Sequence, residues 1–380
     1  FGGVSLDSYP YKAVDFLVDH KVKGNFFNDF NSGAYLLGRT FPDIKVSMDG
    51  RTEVYGGEYF RGYLKIWEKG DTQLFEKIVQ EYQLTGVFLS SVRQLIPAKF
   101  LNYLYDSPDW KLVYFDYDAV IFLKNIKEYQ DLIMEHDIDL LKWESEPLDI
   151  VKIGPKRLEP YRYYYRAFTL ESMGFDDQAK KEAKMALDFN PSYAKPYELI
   201  GRIYAKHEMY EKAFKYFRVA TMFQPGNIKM RYNLASAYFD IGEHEKALEE
   251  YDRIIQMKPN EPKALFLKSR VLIKLEKYEA AYQAIEKGNA LNPRNVEDLM
   301  TLGDQLAEEG EFLYARRFYE LGFSSDRHQD LLSEKVGDLY LLMNQAQDAV
   351  HYFEKALQIN PELNRIQVKM GPLNHLNPMK

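Results

Sequence analysis

Six alanines, Ala179, Ala213, Ala247, Ala281, Ala315 and Ala349, recur at a step of 34 residues, and that step constrains the fold of this chain more than any other feature. Pro191, Pro225, Pro259, Pro293 and Pro361 keep the same step, with Arg327 standing where a further proline would fall. Proline stops a helix because its ring removes a donor and disfavours helix in the residue before it. A second series of small residues, Ala167, Gly201, Ala235, Ser269, Gly303 and Gly337, precedes the alanines by 12 residues. Three residues beyond each of these stands a large side chain: Leu170, Tyr204, Tyr238, Leu272, Leu306 and Tyr340. That spacing places small and large residues on one buried helix face. Each unit therefore reads as two helices that approach closely at their small residues. One such hairpin cannot bury its own apolar face, so neighbours must stack into a solenoid with a concave groove.

The pattern resembles the tetratricopeptide repeat family. The resemblance implies a right-handed superhelix of six helical hairpins over residues 160–363. Met370-Gly371 repeats the opening of a unit, which makes residues 364–380 a partial capping helix and tail.

Residues 1–125 follow another rhythm. Short apolar runs at Asn25-Phe26-Phe27, Ile44 to Met48, Val87-Phe88-Leu89, Lys111 to Phe115 and Ala119 to Leu123 read as strands. Between them, Ala13 to His20, Ala34 to Thr40, Tyr59 to Trp67, Leu74 to Tyr82 and Lys99 to Tyr105 have helical spacing. Strand and helix in alternation imply an α/β domain. Its last two strands are joined by Asp116-Tyr117-Asp118, too short for a crossover helix, so they form an antiparallel hairpin. Residues 126–159, with a helix around Glu128 to Glu135 and then Pro147 and Pro155, read as the joint between the two parts.

Within the α/β part, Asn28-Asp29-Phe30-Asn31-Ser32-Gly33-Ala34-Tyr35-Leu36 is followed by Lys45-Val46 and Asp49-Gly50-Arg51, then Tyr55. These residues resemble a pattern found after the last membrane span of bacterial GT-C type glycosyltransferase-like proteins, many of which end in tetratricopeptide repeats. Tyr82 and Val87, and the Trp110 to Tyr114 stretch with Asp116, are similar to its later strand and hairpin. A fainter similarity reaches the catalytic subunit of oligosaccharyltransferase, but the tryptophan pair of its acceptor-reading motif is missing. The resemblance implies an extracytoplasmic domain of a membrane-anchored parent. Catalytic carboxylates of such enzymes lie on loops between membrane helices, so the chain alone is expected to lack activity.

Composition narrows the field further. A net charge of −7 argues against a nucleic-acid binder that works by phosphate neutralisation. The chain has no cysteine, hence no disulfide and no thiolate metal site. Seven histidines are dispersed without ligand spacing, so no metal and no cofactor is expected. Gly2-Gly3 and Gly56-Gly57 lack the motif of a phosphate loop and read as turns.

Two sets of residues are candidates for function. Asp29, Asp49, Arg51 and Tyr55 stand near the ends of strands, as a carboxylate-based ligand site or as turn and cap chemistry in which Arg51 pairs with Asp29 or Asp49. Projection of the first helices into the groove gives Lys195, Arg202, Lys206, Lys229, Asn233, Lys263, Arg270 and Lys274, then Glu297, Asp304, Glu308, Glu334 and Asp338. Such a bipolar groove suits an acidic protein or peptide segment, or an anionic glycan. The clamp of chaperone-binding repeats is not reproduced: Glu198 and Arg202 replace its first Lys and Asn, and Leu267 its last Arg. The aromatic cluster Tyr161, Tyr163, Tyr164, Tyr165 and Phe168 is expected to form a seam between the two parts, or else a sugar platform.

Overall fold

A computed structural model describes residues 9–49, 51–90, 97–145, 160–292, 296–325 and 328–376, without side chains for 52–55 and 374–376. Gly2, Gly3, Gly50, Pro147, Pro155, Pro293 and Arg327 and the side chain of Tyr55 lie outside the described residues. The chain forms two compact units, Phe1–Met209 and Tyr210–Lys380.

The first unit opens with a small mixed sheet. Its strands are β1 (Gly24–Asn28), β2 (Ile44–Val46), β3 (Leu84–Ser90), β4 (Trp110–Phe115) and β5 (Ala119–Lys124), in the order β2-β1-β3-β5-β4. β1 runs parallel to β2 and β3, whereas β5 is antiparallel to both β3 and β4. All five strands lie where the apolar runs place them, and β4 and β5 form the expected hairpin.

Successive strand residues point to opposite faces, and Phe26-Phe27 shows the result. Phe26 packs in one core with Val14 and Leu17 of α1 (Tyr11–Asp19), Leu36 of α2 (Gly33–Thr40) and Ile133 of α6 (Gln130–His136). On the other face, Phe27 meets the rings of Tyr63, Phe75 and Phe100 at 5.7, 5.4 and 5.5 Å between centroids. Those rings belong to α3 (Thr52–Lys69), α4 (Thr72–Glu81) and α5 (Ala98–Asp106). Gly56-Gly57 is not a turn between elements: α3 runs through it, kinked where Gly56 takes a φ of 71°, which costs glycine alone nothing.

Three solenoid helices share this unit: α7 (Pro160–Ser172), α8 (Asp176–Phe189) and α9 (Ala194–Lys206). The tie to the sheet runs through arginine and two ring pairs. Arg166 bonds Asp116 of the β4–β5 connection at 2.9 Å, and Arg162 lies 4.5 Å from the Tyr117 ring centroid. Trp143 meets Phe115 edge-on at 4.9 Å, and Phe175 meets Tyr105 at 5.4 Å. The expected tyrosine seam is divided, because neighbouring positions on a helix face different ways. Tyr163 stacks on Phe189 of α8, while Tyr164 meets Tyr193 and Phe168 receives Arg202 from the next repeat.

The second unit is helical throughout its described residues: α10 (Tyr210–Phe223), α11 (Ile228–Asp240), α12 (His244–Met257), α13 (Pro262–Lys274), α14 (Tyr278–Leu291), α15 (Val296–Glu308), α16 (Phe312–Gly322), α17 (Gln329–Leu342), α18 (Ala346–Ile359) and α19 (Asn364–Met370), the last followed by a 3-10 turn, Gly371–Leu376. The two small-residue series do what their spacing implies. A Cβ on Gly303 would lie 2.3 Å from the Tyr319 ring, and one on Gly337 2.6 Å from Phe353. Ser269 uses its hydroxyl instead, donating to the carbonyl of Ala281, the alanine 12 residues on, at 2.8 Å. The periodic alanines of this unit, from Ala213 to Ala349, are all buried.

Candidate functional site

The loops that follow β1, β2 and β3 are knotted together by the Asn28–Gly33 motif. Asn28 Oδ1 accepts the backbone N–H groups of Ser47 and Met48 at 3.0 and 3.2 Å, and its amide donates to the Met48 carbonyl at 2.6 Å. Asp29, fully buried, accepts N–H groups from Asn31 and Ser32 at 3.0 Å each and from Ser90, at the end of β3, at 2.8 Å. The Ser32 hydroxyl adds a bond of 2.6 Å to the same carboxylate. Gly33 is required by contact, since a Cβ there would fall 1.9 Å from the Met48 carbonyl oxygen.

Asp49 is buried too and holds the exposed Arg51, whose backbone N–H and Nε both reach Oδ1, at 3.0 and 3.1 Å. Of the two partners open to Arg51 in the sequence, this pairing takes Asp49. Each carboxylate thus has its own set of donors. Buried polar groups need such partners; Asp29 ties its own loop to the end of β3, whereas Asp49 bonds Arg51 within its own loop. Nearby, Tyr63 accepts the Phe30 N–H at 3.0 Å; burial, aided by the charge of Asp29, raises its pKa well above that of free tyrosine.

The basic residues projected onto the first helices fall into two kinds. Arg202, Lys206 and Lys274 are spent on internal ion pairs. Arg202 clasps Glu171 at 2.6 Å and Glu198 at 3.1 Å, Lys206 meets Asp176 at 2.9 Å, and Lys274 meets Glu309 at 2.6 Å. Lys195, Lys263 and Arg270 instead lie against aromatic rings, of Tyr164, Tyr232 and Phe239, at 5.5, 5.2 and 4.4 Å from the centroids. A ring steadies a cation without cancelling its charge, and all three are exposed. Lys229 and Asn233 stand one helical turn apart on α11.

The acidic residues of the later repeats are similarly engaged. Glu297 faces His328 at 3.2 Å, Asp304 pairs with Lys335 at 2.6 Å, Glu334 with Arg365 at 2.6 Å, and Asp338 with Lys369 at 2.8 Å. Glu308 lies on α15. Sequence reasoning missed this ladder, although its signal was present. Glu171–Arg202, Asp304–Lys335, Glu334–Arg365 and Asp338–Lys369 are all separated by 31 residues, one repeat less about a helical turn.

Arg270 also borders a hollow of about 230 Å³ lined by Ser236, Phe239, Asp240, Tyr251 and Leu267. Burial raises the pKa of Asp240 there, and the charge of Arg270 opposes the rise. The Tyr251 and Ser236 hydroxyls lie 3.4 Å apart on its wall. The hollow is thus lined by both charges and two hydroxyls.

Comparison with known proteins agrees with the helical part of this picture. Tetratricopeptide repeat models match residues 204–270, 262–295 and 335–363. Protein O-mannosyl-transferase TMTC1 of Homo sapiens is 24% identical over 209 residues, 54% of this chain and 24% of that protein. Hsp70-Hsp90 organizing protein 3 of Arabidopsis thaliana is 24% identical over 131 residues, 34% of this chain and 24% of that one. The matches thus span about a quarter of each relative. A crystallised tetratricopeptide repeat protein from Parabacteroides merdae superposes with a TM-score of 0.42 at 23% identity, over 53% of this chain and 79% of that one. With paired helices whose small residues meet at a 34-residue step, the segments 204–295 and 335–363 are tetratricopeptide repeats.

Proposed function

We propose that the chain is a docking module: six repeats over 160–363 that hold an extended acidic segment of a protein partner, carried by an extracytoplasmic domain of a membrane-anchored, glycosyltransferase-like parent. The repeat family supports the scaffold role, since stacked helical hairpins present long binding surfaces. Charge supports the choice of partner, and the observation that carries it is the contrast among the cations of α13. Lys263 and Arg270 rest on rings and, among the described residues, close no ion pair, whereas Lys274, on the same helix, is neutralised by Glu309. A carboxylate arriving at Lys263 or Arg270 breaks no ion pair among the described residues and shares Arg270 with the field of Asp240. In the first unit, Lys195 rests on Tyr164 in the same way.

The parent's character rests on the Asn28 to Leu36 and Asp49 to Tyr55 resemblance and on the likeness to a protein named as an O-mannosyl-transferase. The α/β domain would then be a rigid platform without an active site. Two experiments test the two halves of the proposal. Fluorescence anisotropy with a labelled glutamate-rich decapeptide should give saturable binding that weakens with salt, whereas a lysine-rich decapeptide should not bind. Equal binding of both, or of neither, contradicts the acidic partner. For the parent, protease protection of the full gene product in membrane vesicles should leave this domain accessible only from the extracytoplasmic side.

A further inference from the structure

Beside the edge strand β2 lies a pocket of about 450 Å³, within the range of small-molecule sites. Its walls are Asn25, Lys45, Ser47, Tyr59, Tyr82 and Leu84. None of these belongs to the loop knot of Asp29 and Asp49 except Ser47, which touches Asn28.

The walls are held in place by bonds among themselves. The Tyr59 hydroxyl donates to the Ser47 carbonyl at 3.0 Å, fixing that ring over the end of β2. Tyr82 meets Tyr59 at 5.8 Å with the planes at 77°, so the two rings form a corner. Tyr82 keeps 44% of its surface exposed. The Asn25 amide N–H group donates to the Tyr82 carbonyl at 2.9 Å. That bond orients the carboxamide and leaves Oδ1 as an acceptor. Lys45 is exposed, and among the described residues it has no carboxylate partner.

The pocket therefore presents the exposed Tyr82 ring, with Tyr59 inclined to it at 77°, one fixed acceptor and one cation. An aromatic ring stacks on the C–H face of a sugar, an acceptor takes a ring hydroxyl, and an ammonium selects an anionic substituent. We infer that this pocket binds a monosaccharide unit bearing a carboxylate. An aromatic acid would satisfy the rings and Lys45, but it offers no donor to Asn25; a neutral sugar would leave Lys45 unused. The inference is independent of the peptide-binding proposal, because no residue of the pocket lies in the repeats.

Saturation-transfer NMR on the whole chain decides it, with glucuronate, glucose and benzoate as probes. Glucuronate should receive saturation and bind about threefold more tightly than glucose, the worth of one exposed ion pair. Benzoate should bind more weakly than glucuronate. Lys45→Ala should erase the preference for glucuronate over glucose, and Tyr82→Ala should abolish transfer to both. These side chains are exposed, so circular dichroism should show both variants folded. Absence of transfer to both sugars, equal affinity for glucose and glucuronate, benzoate binding as tight as glucuronate, or binding unchanged in folded Tyr82→Ala would each overturn the inference.

Discussion

Arg166 and Asp116 are joined at 2.9 Å across 50 residues of sequence, the first in the opening solenoid helix and the second at the tip of the sheet's last hairpin. The same guanidinium bonds Glu182 of α8 at 2.7 Å through Nε. One side chain thereby ties the sheet, α7 and α8 together, in a place where only 11% of it meets solvent.

Loss of that side chain should be costly. Arg166→Met leaves the nearly buried Glu182 without its cation and should destabilise the first unit by about 3–5 kcal/mol in urea unfolding. The triple variant Arg166→Met, Asp116→Asn, Glu182→Gln should recover much of the loss, because it removes the charges that the single variant strands. A single variant within about 0.5 kcal/mol of the parent chain would show the clamp to be energetically idle.

Asp118, two residues from Asp116, gives the sheet a pH dependence. Its carboxylate accepts the Lys12 and Ala13 N–H groups at 3.0 and 3.2 Å and the Tyr114 hydroxyl at 3.0 Å. Those bonds and the charge of Lys12 favour ionisation, but burial and the neighbouring Asp116 prevail and push its pKa up to about 7. The folded state therefore holds this proton more tightly than the unfolded chain does. The stabilisation is fully present below about pH 4 and is lost as pH rises through about 7. Asp118→Asn should flatten this part of the stability profile and raise stability at pH 8. An unchanged slope in denaturant melts between pH 5 and 8 would refute the assignment.

Packing at the small-residue sites predicts a third outcome. Gly303→Ala forces a methyl group to within 2.3 Å of the Tyr319 ring unless the helices part. It should cost roughly 1–3 kcal/mol, as overpacking usually does, even though alanine is the better helix former. Ala247, fully buried in the second helix of its repeat, should respond similarly to Leu. A stabilised Gly303→Ala variant would mean that propensity, not closeness of approach, decides this position.

The repeats were legible because their constraints are local and periodic. Ala281, Ser269 and Leu272 each sit where the 34-residue step and the helical turn place them, and the strands from Phe26 to Leu123 announced themselves as apolar runs. The site chemistry was less legible, since charge in a sequence does not reveal its partner. Arg202 and Arg270 look alike on paper, yet one is clasped by Glu171 and Glu198 and the other lies on Phe239. Asp29 gave a similar ambiguity, and one of its donors is Ser90, a residue 61 positions away that gives it an N–H. Long-range partners of this kind follow from topology, which a motif alone does not carry. The 31-residue spacing of opposite charges was the exception: it was readable and went unread.

The most direct test of the account compares cations on one helix, α13, for capture of the glutamate-rich decapeptide. Lys263→Glu with Arg270→Glu should weaken binding at least tenfold with helicity unchanged by circular dichroism, while Lys274→Gln, which loses only the bond to Glu309, should leave affinity within about twofold. Equal losses in the two variants, or no loss in the first, would contradict the claim that ring-supported cations receive the partner.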